Sequence, residues 1–284
     1  MTASKVKRIA YLGPHGTYTE EAALLHDPTA HMTPLSSVLA VAAAVDTGMA
    51  DEGVMAIENS LEGSVPDTLD VLIHESRLLI RRELVLPINH QLMAKPGTSV
   101  NDIQVIYSHP QSLGQCRRFL ERCFPKAQLM ASLSNAKAVE EAKASPVPAA
   151  AIAPKRAAEL YGMAILASGI QDHPVNVTRF VVIAHEDSPT PTGHDKTSIC
   201  FSFDRDEPGQ LYGVMGEFAQ RAINLAKVES RPSKETLGKY VFLIDMEGHR
   251  LDPPVKAALE GVRKRVGMLK IMGSYPRFRN GAPA

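Results

Sequence analysis

The sequence predicts an α/β protein whose C-terminal part folds as a separate, compact β-α-β-β-α-β unit, and three observations support this. Up to residue 187, short apolar runs alternate with stretches of helical periodicity, as in βαβ units. Residues 188–194 are rich in Pro, Thr and Gly and have the composition of a linker. Residues 196–284 then show strand and helix patterns in the ferredoxin-like order. We therefore expect one domain over 1–187, a linker over 188–195 and a second domain over 196–284.

The first part supplies six candidate strands, each a short apolar run bounded by turn residues. They cover residues 8–12, 53–57, 105–107, 128–131, 149–153 and 180–184. Apolar periodicity predicts helices over 37–46, 66–74, 111–123 and 136–143, with Ser64 as an N-cap for the second. Because strands and helices alternate, we expect a largely parallel sheet or sheets.

The second part is predicted element by element from the same two periodicities. Strands are expected over 197–203, 225–231, 239–246 and 268–272, and helices over 209–221 and 253–265. Their order along the chain is β-α-β-β-α-β, which is the ferredoxin-like arrangement.

The charge balance disfavours partners that need a basic surface. Lys and Arg together number 31, as do Asp and Glu, so the formal net charge is zero. Nucleic acids and anionic membranes are bound through a basic surplus, which this chain lacks. Residues 1–187 carry 16 basic and 20 acidic side chains and residues 188–284 carry 15 and 11, so the halves are net −4 and +4.

The cysteine pattern and the N-terminus predict a soluble, cytoplasmic protein. Cys116, Cys123 and Cys200 form no C-x-x-C pair, so neither a disulfide framework nor a zinc site is expected. The apolar run after the basic residues 1–8 is too short for a signal peptide, and no stretch is long enough for a membrane span. We therefore expect no membrane partner and, since no His, Asp or Glu cluster has ligand spacing, no metal.

Three polar loops follow predicted strands and lead into predicted helices. They are Gly13-Pro14-His15-Gly16-Thr17, residues 58–63 (Glu-Asn-Ser-Leu-Glu-Gly) and Ser108-His109-Pro110-Gln111. Each taken alone is also explained as a turn with a capping side chain. Ligands of open α/β sheets bind at carboxyl ends of strands, where free backbone N–H groups attract anions. Converging loops of this kind predict a pocket for a small, oxygen-rich anion.

A fourth polar segment, residues 176–180 (Asn-Val-Thr-Arg-Phe), lies at the last predicted strand of the first part. A fixed guanidinium at Arg179 could hold a carboxylate through two parallel hydrogen bonds. An ordinary ion pair at a strand end is the alternative reading of the same residue.

Taken in order, these segments resemble the prephenate dehydratase family. The resemblance rests on residues 13–17, 57–63 with Leu69-Asp70 following, 108–111 and 176–180. In the second part, Pro208-Gly209, residues 229–232 (Glu-Ser-Arg-Pro) and 273–276 (Gly-Ser-Tyr-Pro) resemble the ACT regulatory domain of that family. The resemblance as a whole covers nearly the entire chain.

Three positions depart from the family pattern. Ala56 stands where the family usually has Pro, and residues 134–138 (Ser-Asn-Ala-Lys-Ala) replace a segment that commonly carries a Thr contact. Gln210 replaces Ala in the ACT motif, which makes ligand fit there less secure than catalysis.

The resemblance implies a fold, a reaction and a regulator. The catalytic part would have two lobes like a type II periplasmic binding protein, with the active site in the cleft. Prephenate would lose CO2 and water to give phenylpyruvate for L-phenylalanine synthesis, without cofactor or metal. Phenylalanine would be the allosteric effector, and the protein a homodimer or homotetramer.

The resemblance also implies the site residues. By analogy Thr178 is catalytic, and because a Thr hydroxyl is a weak acid we expect it to donate a hydrogen bond or relay a proton. Glu58 or Glu62 with a raised pKa is the alternative acid. The expected substrate-binding residues are Thr17, Asn59, Ser60, Ser108, Gln111, Asn176, Arg179 and Phe180. The expected effector-binding residues are Gly209, Gln210, Leu211, Glu229, Ser230, Arg231 and Pro232.

Other functions fit the same sequence. An arogenate dehydratase accepts an amine where prephenate has a keto group, and a homologue that only decarboxylates prephenate is disfavoured by the intact Thr178-Arg179-Phe180. A non-catalytic two-lobed sensor of small anions or amino acids would bind in the cleft without chemistry. The C-terminal domain could serve only to dimerise the protein.

Overall fold

The computed structural model describes residues 6–205, 207–234 and 238–278. Within these, the chain forms two compact units. Unit 1 comprises residues up to 41 together with 54–65 and 85–180, and unit 2 comprises 42–53, 66–84 and the chain from 181 onward. The second unit thus combines the C-terminal β-α-β-β-α-β pattern with two segments from the first half of the sequence.

One sheet is built from the first third of the chain and one later strand. Its order is β2-β1-β3-β11-β5, with β4 paired to β3. Its strands are β1 (Arg8–Leu12), β2 (His31–Leu35), β3 (Glu52–Asn59), β4 (Gly63–Ser64), β5 (Leu79–Pro87) and β11 (Val177–Ala184). The accompanying helices are α1 (Tyr18–His26), α2 (Val38–Asp46) and α3 (Pro66–Asp70), and α3 continues as a π-helical turn over Val71–Glu75. The α1 N-terminus is capped by Thr17, whose side chain accepts from the backbone N–H of Glu20.

A second sheet, in unit 1, has the order β10-β6-β9-β7-β8. Its strands are β6 (Gln91–Ala94), β7 (Val105–Ser108), β8 (Gln128–Ala131), β9 (Ala149–Ala153) and β10 (Ala164–Ser168). The helices packed on it are α4 (Pro110–Gln115), α5 (Arg117–Cys123), α6 (Asn135–Ala144) and α7 (Lys155–Tyr161), and a short 3₁₀ turn covers Val100–Asp102. The central strand β9 is Ala-Ala-Ala-Ile-Ala with all five residues buried, whereas all four residues of the edge strand β8 are exposed. The small side chains of β9 allow α6 to pack close to the sheet.

The C-terminal part forms a four-stranded antiparallel sheet in the order β13-β14-β12-β15. Its elements are β12 (Asp195–Ser202), α8 (Gln210–Ala219), β13 (Leu225–Pro232), β14 (Tyr240–Glu247), α9 (Pro253–Arg263) and β15 (Met268–Pro276). Both helices pack on one face of the sheet around a core that includes Phe201, Phe218 and Ile244. This arrangement is the ferredoxin-like order expected from the sequence.

The rest of unit 2 is fastened to this sheet by buried polar contacts. Lys196 Nζ of β12 lies 2.7 Å from Glu83 Oε2 of β5, and both side chains are almost fully buried. Lys270 Nζ of β15 donates to the carbonyl oxygens of Leu72 and Ser76 at 2.6 and 2.7 Å, at the C-terminal end of the π-helical turn. Opposite charges and a helix C-terminus thus hold β12 and β15 against residues 66–84.

The predicted α/β fold class with a C-terminal ferredoxin-like unit is confirmed, and several element predictions need correction. Ser64 lies in strand β4 and is not an N-cap. The helix predicted over 111–123 is two helices, which meet at Cys116. Strand β12 begins at Asp195, within the segment expected to be linker.

Candidate active site

Unit 1 contains a cavity of about 180 Å³ that is partly open to solvent. Its lining residues are Tyr18, Thr19, Ala56, Asn59, Val65, Ile88, His90, Gln111, Ser112, Gln115, Asn135, Thr178 and Phe180. No Lys, Arg, Asp or Glu is among these described lining residues. Burial lowers the pKa of His90, which favours its neutral form. The cavity therefore offers amides and hydroxyls rather than full charges.

Thr178, near the start of β11, is held by the side chain of Asn59. Thr178 Oγ1 accepts a hydrogen bond from Asn59 Nδ2 at 2.9 Å. Asn59 Oδ1 in turn accepts from the backbone N–H groups of Leu61 and Glu62 at 2.9 and 3.1 Å. Since a backbone N–H can only donate, these two contacts fix which way the Asn59 amide faces. No group in the described part of the chain accepts the Thr178 proton, so this hydroxyl can donate to a molecule in the cavity.

The same amide begins a longer network. Asn59 Nδ2 also donates to Asn176 Oδ1 at 2.8 Å, and Asn176 Nδ2 donates to Gln115 Oε1 at 2.9 Å. Gln115 Nε2 lies 3.4 Å from Glu62 Oε1. Asn59 and Asn176 are 92 % or more buried, so their polar atoms must find partners within the protein.

His90 and Tyr18 complete the network on its other side. His90 Nε2 lies 2.9 Å from Gln115 Oε1, and His90 Nδ1 lies 3.1 Å from the Tyr18 hydroxyl. The single Tyr18 hydroxyl proton is within reach of both His90 Nδ1 and the carbonyl oxygen of Asn89, which lies 2.9 Å from the hydroxyl oxygen. Burial raises the pKa of Tyr18 well above its usual value, so the phenol stays protonated.

Asn135, the first residue of α6, connects two loops at the cavity. Its Oδ1 accepts from the Ser112 hydroxyl at 2.9 Å and from the His109 backbone N–H at 3.3 Å, and it lies 3.2 Å from the Ser108 hydroxyl oxygen. These donors direct the amide nitrogen elsewhere, and among the described residues it has no hydrogen-bond acceptor. Asn135 lies in the segment that departs from the family pattern, and it places an amide at the cavity wall.

Arg179 and Glu58 lie next to each other and outside the set of cavity-lining residues. Arg179 Nε is 3.3 Å from Glu58 Oε2, and the Arg179 side chain is only 11 % exposed. The guanidinium is thus already close to a carboxylate of the protein, which matches the ion-pair reading of this residue.

Three other sequence-predicted residues use their hydroxyls within the protein. Thr17 caps α1. Ser60 Oγ accepts from the backbone N–H of Val177 at 3.0 Å, and the fully buried Ser108 donates to the carbonyl oxygen of Ile152 at 2.8 Å. None of the three lines the cavity.

The cavity thus brings together four of the predicted residues, Asn59, Gln111, Thr178 and Phe180, with Asn176 hydrogen-bonded behind them. Sequence reasoning missed Tyr18, His90, Ser112, Gln115 and Asn135. One signal was available for Gln115, because it follows Gln111 by four residues and so lies on the same helix face. No local pattern distinguishes His90 from other histidines of this chain.

A second cavity, of about 630 Å³, lies in the C-terminal part. Of the predicted effector-binding residues, Gly209, Gln210 and Leu211 line it, together with aromatic side chains such as Tyr240 and Phe242. Gly209 has φ +87°, a left-handed conformation that glycine adopts without strain immediately before α8. The predicted residues Glu229, Ser230, Arg231 and Pro232 lie on β13 and are not among its lining residues.

Asp70, at the end of α3, is paired with two cations of the C-terminal part. Arg231 Nη2 lies 3.0 Å from Asp70 Oδ1, and Lys234 Nζ lies 2.6 Å from Asp70 Oδ2. Burial by itself raises the pKa of Asp70, but the hydrogen bonds and charges of Lys234 and Arg231 outweigh it and hold this pKa below its usual value. We call these three residues the Asp70 cluster.

Across residues 6–205, 207–234 and 238–278, no group of three or more His, Cys, Asp or Glu side chains is placed to hold a metal ion. The helices of the same residues include none that is long and apolar enough to cross a membrane.

Comparison with known proteins gives matches over both parts of the chain. A family model described as prephenate dehydratase matches residues 9–188, and one described as ACT domain matches residues 205–264. The bifunctional chorismate mutase/prephenate dehydratase of Aquifex aeolicus is 43% identical over 278 residues, which cover 98% of this chain and 75% of that protein.

Two solved structures match the whole fold. The prephenate dehydratase of Arthrobacter aurescens, in complex with L-Phe, has a TM-score of 0.88 at 36% identity, covering 98% of this chain and 92% of that one. GqqA, described as a novel type of quorum quenching acylases, also has a TM-score of 0.88, at 29% identity and with 96% and 99% coverage.

Proposed function

Because the chain belongs to the prephenate dehydratase family, we propose that it converts prephenate to phenylpyruvate in the synthesis of L-phenylalanine. Residues 1–187 form the catalytic part in this proposal, and residues 196–284, joined to it by 188–195, form a regulatory ACT domain. The observation that carries the catalytic assignment is a hydroxyl donor, Thr178, held in a neutral cavity by Asn59.

The reaction needs little from the protein beyond positioning and one proton. The electrons of the bond between the ring and its carboxylate enter the ring as CO2 leaves, and the hydroxyl departs with the electrons of its C–O bond. Prephenate dianion and one proton thereby give phenylpyruvate, CO2 and water. Aromatisation drives the step, but hydroxide is a poor leaving group, so a hydrogen bond or proton must reach its oxygen.

Thr178 is the group best placed to meet that need. It lines the cavity, and its hydroxyl oxygen is occupied by the Asn59 donor, which leaves the hydroxyl proton for the substrate. A donor fixed in advance stabilises the negative charge that develops on the departing oxygen without reorganising. The alternative acids, Glu58 and Glu62, do not line this cavity, which favours Thr178 over them.

A neutral cavity binding a dianion implies recognition through local donors rather than net charge. Besides Thr178, the lining side chains whose donors are not used within the described part of the protein include the amides of Gln111 and Asn135. We assign the substrate carboxylates to this set. Arg179, close to Glu58, then acts on the substrate indirectly, by holding the β3 and β11 backbones near the site together.

The decisive test is phenylpyruvate formation by the purified protein, measured with prephenate and, in parallel, with arogenate. Turnover of prephenate supports the proposal, and preference for arogenate would make the protein an arogenate dehydratase. Binding of prephenate without product identifies a sensor. An acylase, the activity named for GqqA, gives no phenylpyruvate and is separated by the same measurement.

We further propose that phenylalanine regulates this activity from the C-terminal part. The cavity lined by Gly209, Gln210 and Leu211 has aromatic side chains suited to a phenylalanine ring, such as Phe203 and Phe242, beside charged side chains such as those of Arg205 and Glu207. The related structure from Arthrobacter aurescens was solved with L-Phe. Unchanged rate and oligomer size at saturating phenylalanine would refute this regulation.

The Asp70 cluster is the contact through which we expect the effector to act. It links Arg231, in the Glu229–Pro232 motif, to α3. In the sequence, α3 follows within a few residues of the loop that carries Asn59. An effector that binds one arrangement of this contact more tightly shifts the population toward that arrangement.

The assembly is proposed to be a homodimer or homotetramer. Strand β13 is an edge strand of the C-terminal sheet, and alternate residues along it are exposed, including Val228 at 51 %. Such an edge strand can pair with a strand of a second copy. Sedimentation or light scattering with and without phenylalanine measures the oligomer size.

A further inference from the structure

His90 is a buried histidine at the cavity wall, one residue before β6, with both ring nitrogens engaged. It is 1 % exposed. Its Nε2 lies 2.9 Å from Gln115 Oε1, its Nδ1 lies 3.1 Å from the Tyr18 hydroxyl, and its backbone N–H donates to Gln171 Oε1 at 3.0 Å. A histidine tied down in this way is fixed in both position and ring orientation.

The direction of every hydrogen bond between Thr178 and His90 follows from one end of the network. The backbone N–H groups of Leu61 and Glu62 require an oxygen on their side of Asn59, so the Asn59 NH2 group faces Thr178 and Asn176. An NH2 group cannot be satisfied by another NH2 group, so Asn176 presents its oxygen to Asn59.

The same reasoning continues to the histidine. Asn176 then turns its NH2 group toward Gln115, which must present its oxygen in return. That oxygen also faces His90 Nε2, which must therefore carry a proton. The contact distances of 2.8–2.9 Å along this path are ordinary for such bonds. The network has one consistent set of directions: Asn59 donates to Thr178 and to Asn176, Asn176 donates to Gln115, and the Gln115 oxygen accepts from both Asn176 and His90 Nε2–H.

We propose that His90 is a positioning residue of the active site: its Nε2–H stabilises the orientation of the Gln115 side-chain amide and, through Asn176, supports the Asn59 amide that donates to Thr178. This inference rests on the proposed function, since it concerns how the donor for that reaction is oriented.

Two anchors at opposite ends explain why a histidine is needed here. The Asn59 end is fixed by backbone N–H groups, which no rotation can reverse. The Gln115 end has no backbone donor of this kind, and an amide side chain can turn over by exchanging its oxygen and nitrogen. With its proton on Nε2, His90 stabilises the orientation in which Gln115 presents its oxygen, because a turned amide would bring two donors together unless the ring proton moved to Nδ1. Burial lowers the pKa of His90, and the neutral ring carries this single donor without adding charge to the cavity.

Two amide substitutions at position 90 distinguish the donor role of the His90 Nε2–H from a role in which the ring only fills space. In His90→Gln the side-chain NH2 reaches the position of Nε2, so a donor to Gln115 is retained. In His90→Asn the shorter side chain reaches only the position of Nδ1, so the contact with Tyr18 is retained and the donor to Gln115 is lost. Both variants put a neutral amide in place of the ring, which makes them a matched pair.

We expect His90→Asn to lower kcat for phenylpyruvate formation by about tenfold or more, with a smaller change in KM. His90→Gln is expected to stay within about threefold of the wild-type kcat. Thermal unfolding midpoints of the two variants should agree within about 5 °C, so that the difference in rate is not a difference in folded protein.

A double-substitution experiment tests whether His90 acts through Gln115. Gln115→Ala alone removes the amide that His90 orients. If that amide is the route, adding His90→Asn to Gln115→Ala causes little further loss of kcat, since interacting residues are not additive. Losses that multiply, or equal rates for His90→Asn and His90→Gln, overturn the inference. A wild-type protein that forms no phenylpyruvate refutes the proposed function instead, and the two failures are therefore distinguishable.

Discussion

Replacing Thr178 by alanine removes the proposed donor and little else. The side chain is 8 % exposed and makes one hydrogen bond within the described residues, accepted from Asn59 Nδ2. That nitrogen has two hydrogens and keeps two other acceptors, Asn176 Oδ1 at 2.8 Å and the Val177 carbonyl at 3.2 Å. No buried donor is left without a partner, so we expect a loss of unfolding free energy of only about 1 kcal/mol.

The expected effect on catalysis is larger. Removing a preorganised donor to developing negative charge costs about a hundredfold in rate, or roughly 2.7 kcal/mol in activation free energy. We expect Thr178→Ala to lower kcat by about tenfold to a hundredfold. Thr178→Ser, which keeps the hydroxyl, should retain more activity than Thr178→Ala.

The assay is phenylpyruvate formation at saturating prephenate, with the thermal unfolding midpoint measured on the same preparations. A Thr178→Ala enzyme whose kcat lies within about threefold of wild type would show that Thr178 has no part in the mechanism. Glu58 and Glu62 would then be the remaining candidates for the acid. A loss of rate matched by a large loss of stability would contradict the structural reasoning about the Asn59 amide.

Three further predictions concern regulation and stability. Asp70→Asn, which breaks the ionic part of the Asp70 cluster, should raise the phenylalanine concentration needed for half-maximal effect by about fivefold or more. Turnover without phenylalanine should stay within about twofold of wild type. Lys234→Met should have a smaller effect, because the Lys234 side chain is 58 % exposed. The pKa of Asp70 is lower in the folded protein than in the unfolded chain, where it is about 3.9. The pairing of Asp70 therefore stabilises the fold fully above about pH 3.9, and this stabilisation is lost as the pH falls through the folded-state pKa. Between about pH 5 and pH 3, the unfolding free energy measured with denaturant should thus depend less on pH in Asp70→Asn than in wild type. Gly273→Ala should lower the unfolding free energy by about 3 kcal/mol or more, since φ is +141° and a Cβ would lie 2.2 Å from the Ile80 carbonyl oxygen. Gly216→Ala, in α8, should be neutral or mildly stabilising, since its Cβ would come no closer than 4.0 Å to a neighbouring atom, Gln220 Nε2.

Strands that are short apolar runs bounded by turn residues were predictable from the sequence, whether buried, as in β9, or exposed, as in β8. Strands β1, β8 and β9 have the predicted bounds, and the six C-terminal elements appear in the predicted order. The strands that escaped prediction include β2, β5 and β10, which lie at sheet edges, and also the interior strand β6, whose four residues are all buried. An edge strand is covered on fewer sides, so its sequence carries charges or proline, such as Pro34 in β2, without disrupting the sheet.

The residues of the candidate site also fall into a group that the sequence predicted and a group that it did not. The strand-end loops and the Asn-Val-Thr-Arg-Phe segment pointed to Asn59, Gln111, Thr178 and Phe180, all of which line the cavity. Whether a polar side chain in such a loop faces the cavity or the backbone depends on its neighbours in space. Ser108 and Ser60 are bonded to backbone groups far away in sequence, at Ile152 and Val177, and no local pattern announces those partners.

By itself, the sequence determined the fold class and the family. It also determined a formal net charge of zero, in which residues 1–187 contribute −4 and residues 188–284 contribute +4. Only the tertiary structure decided where those charges go. It pairs Glu83 with Lys196, and Asp70 with Arg231 and Lys234, so part of the opposite charge of the two halves is used to hold the C-terminal sheet against residues 66–84. The physical reason is that charge and hydrogen bonding act over a few ångströms, and residues more than a hundred positions apart come within that range only when the chain folds.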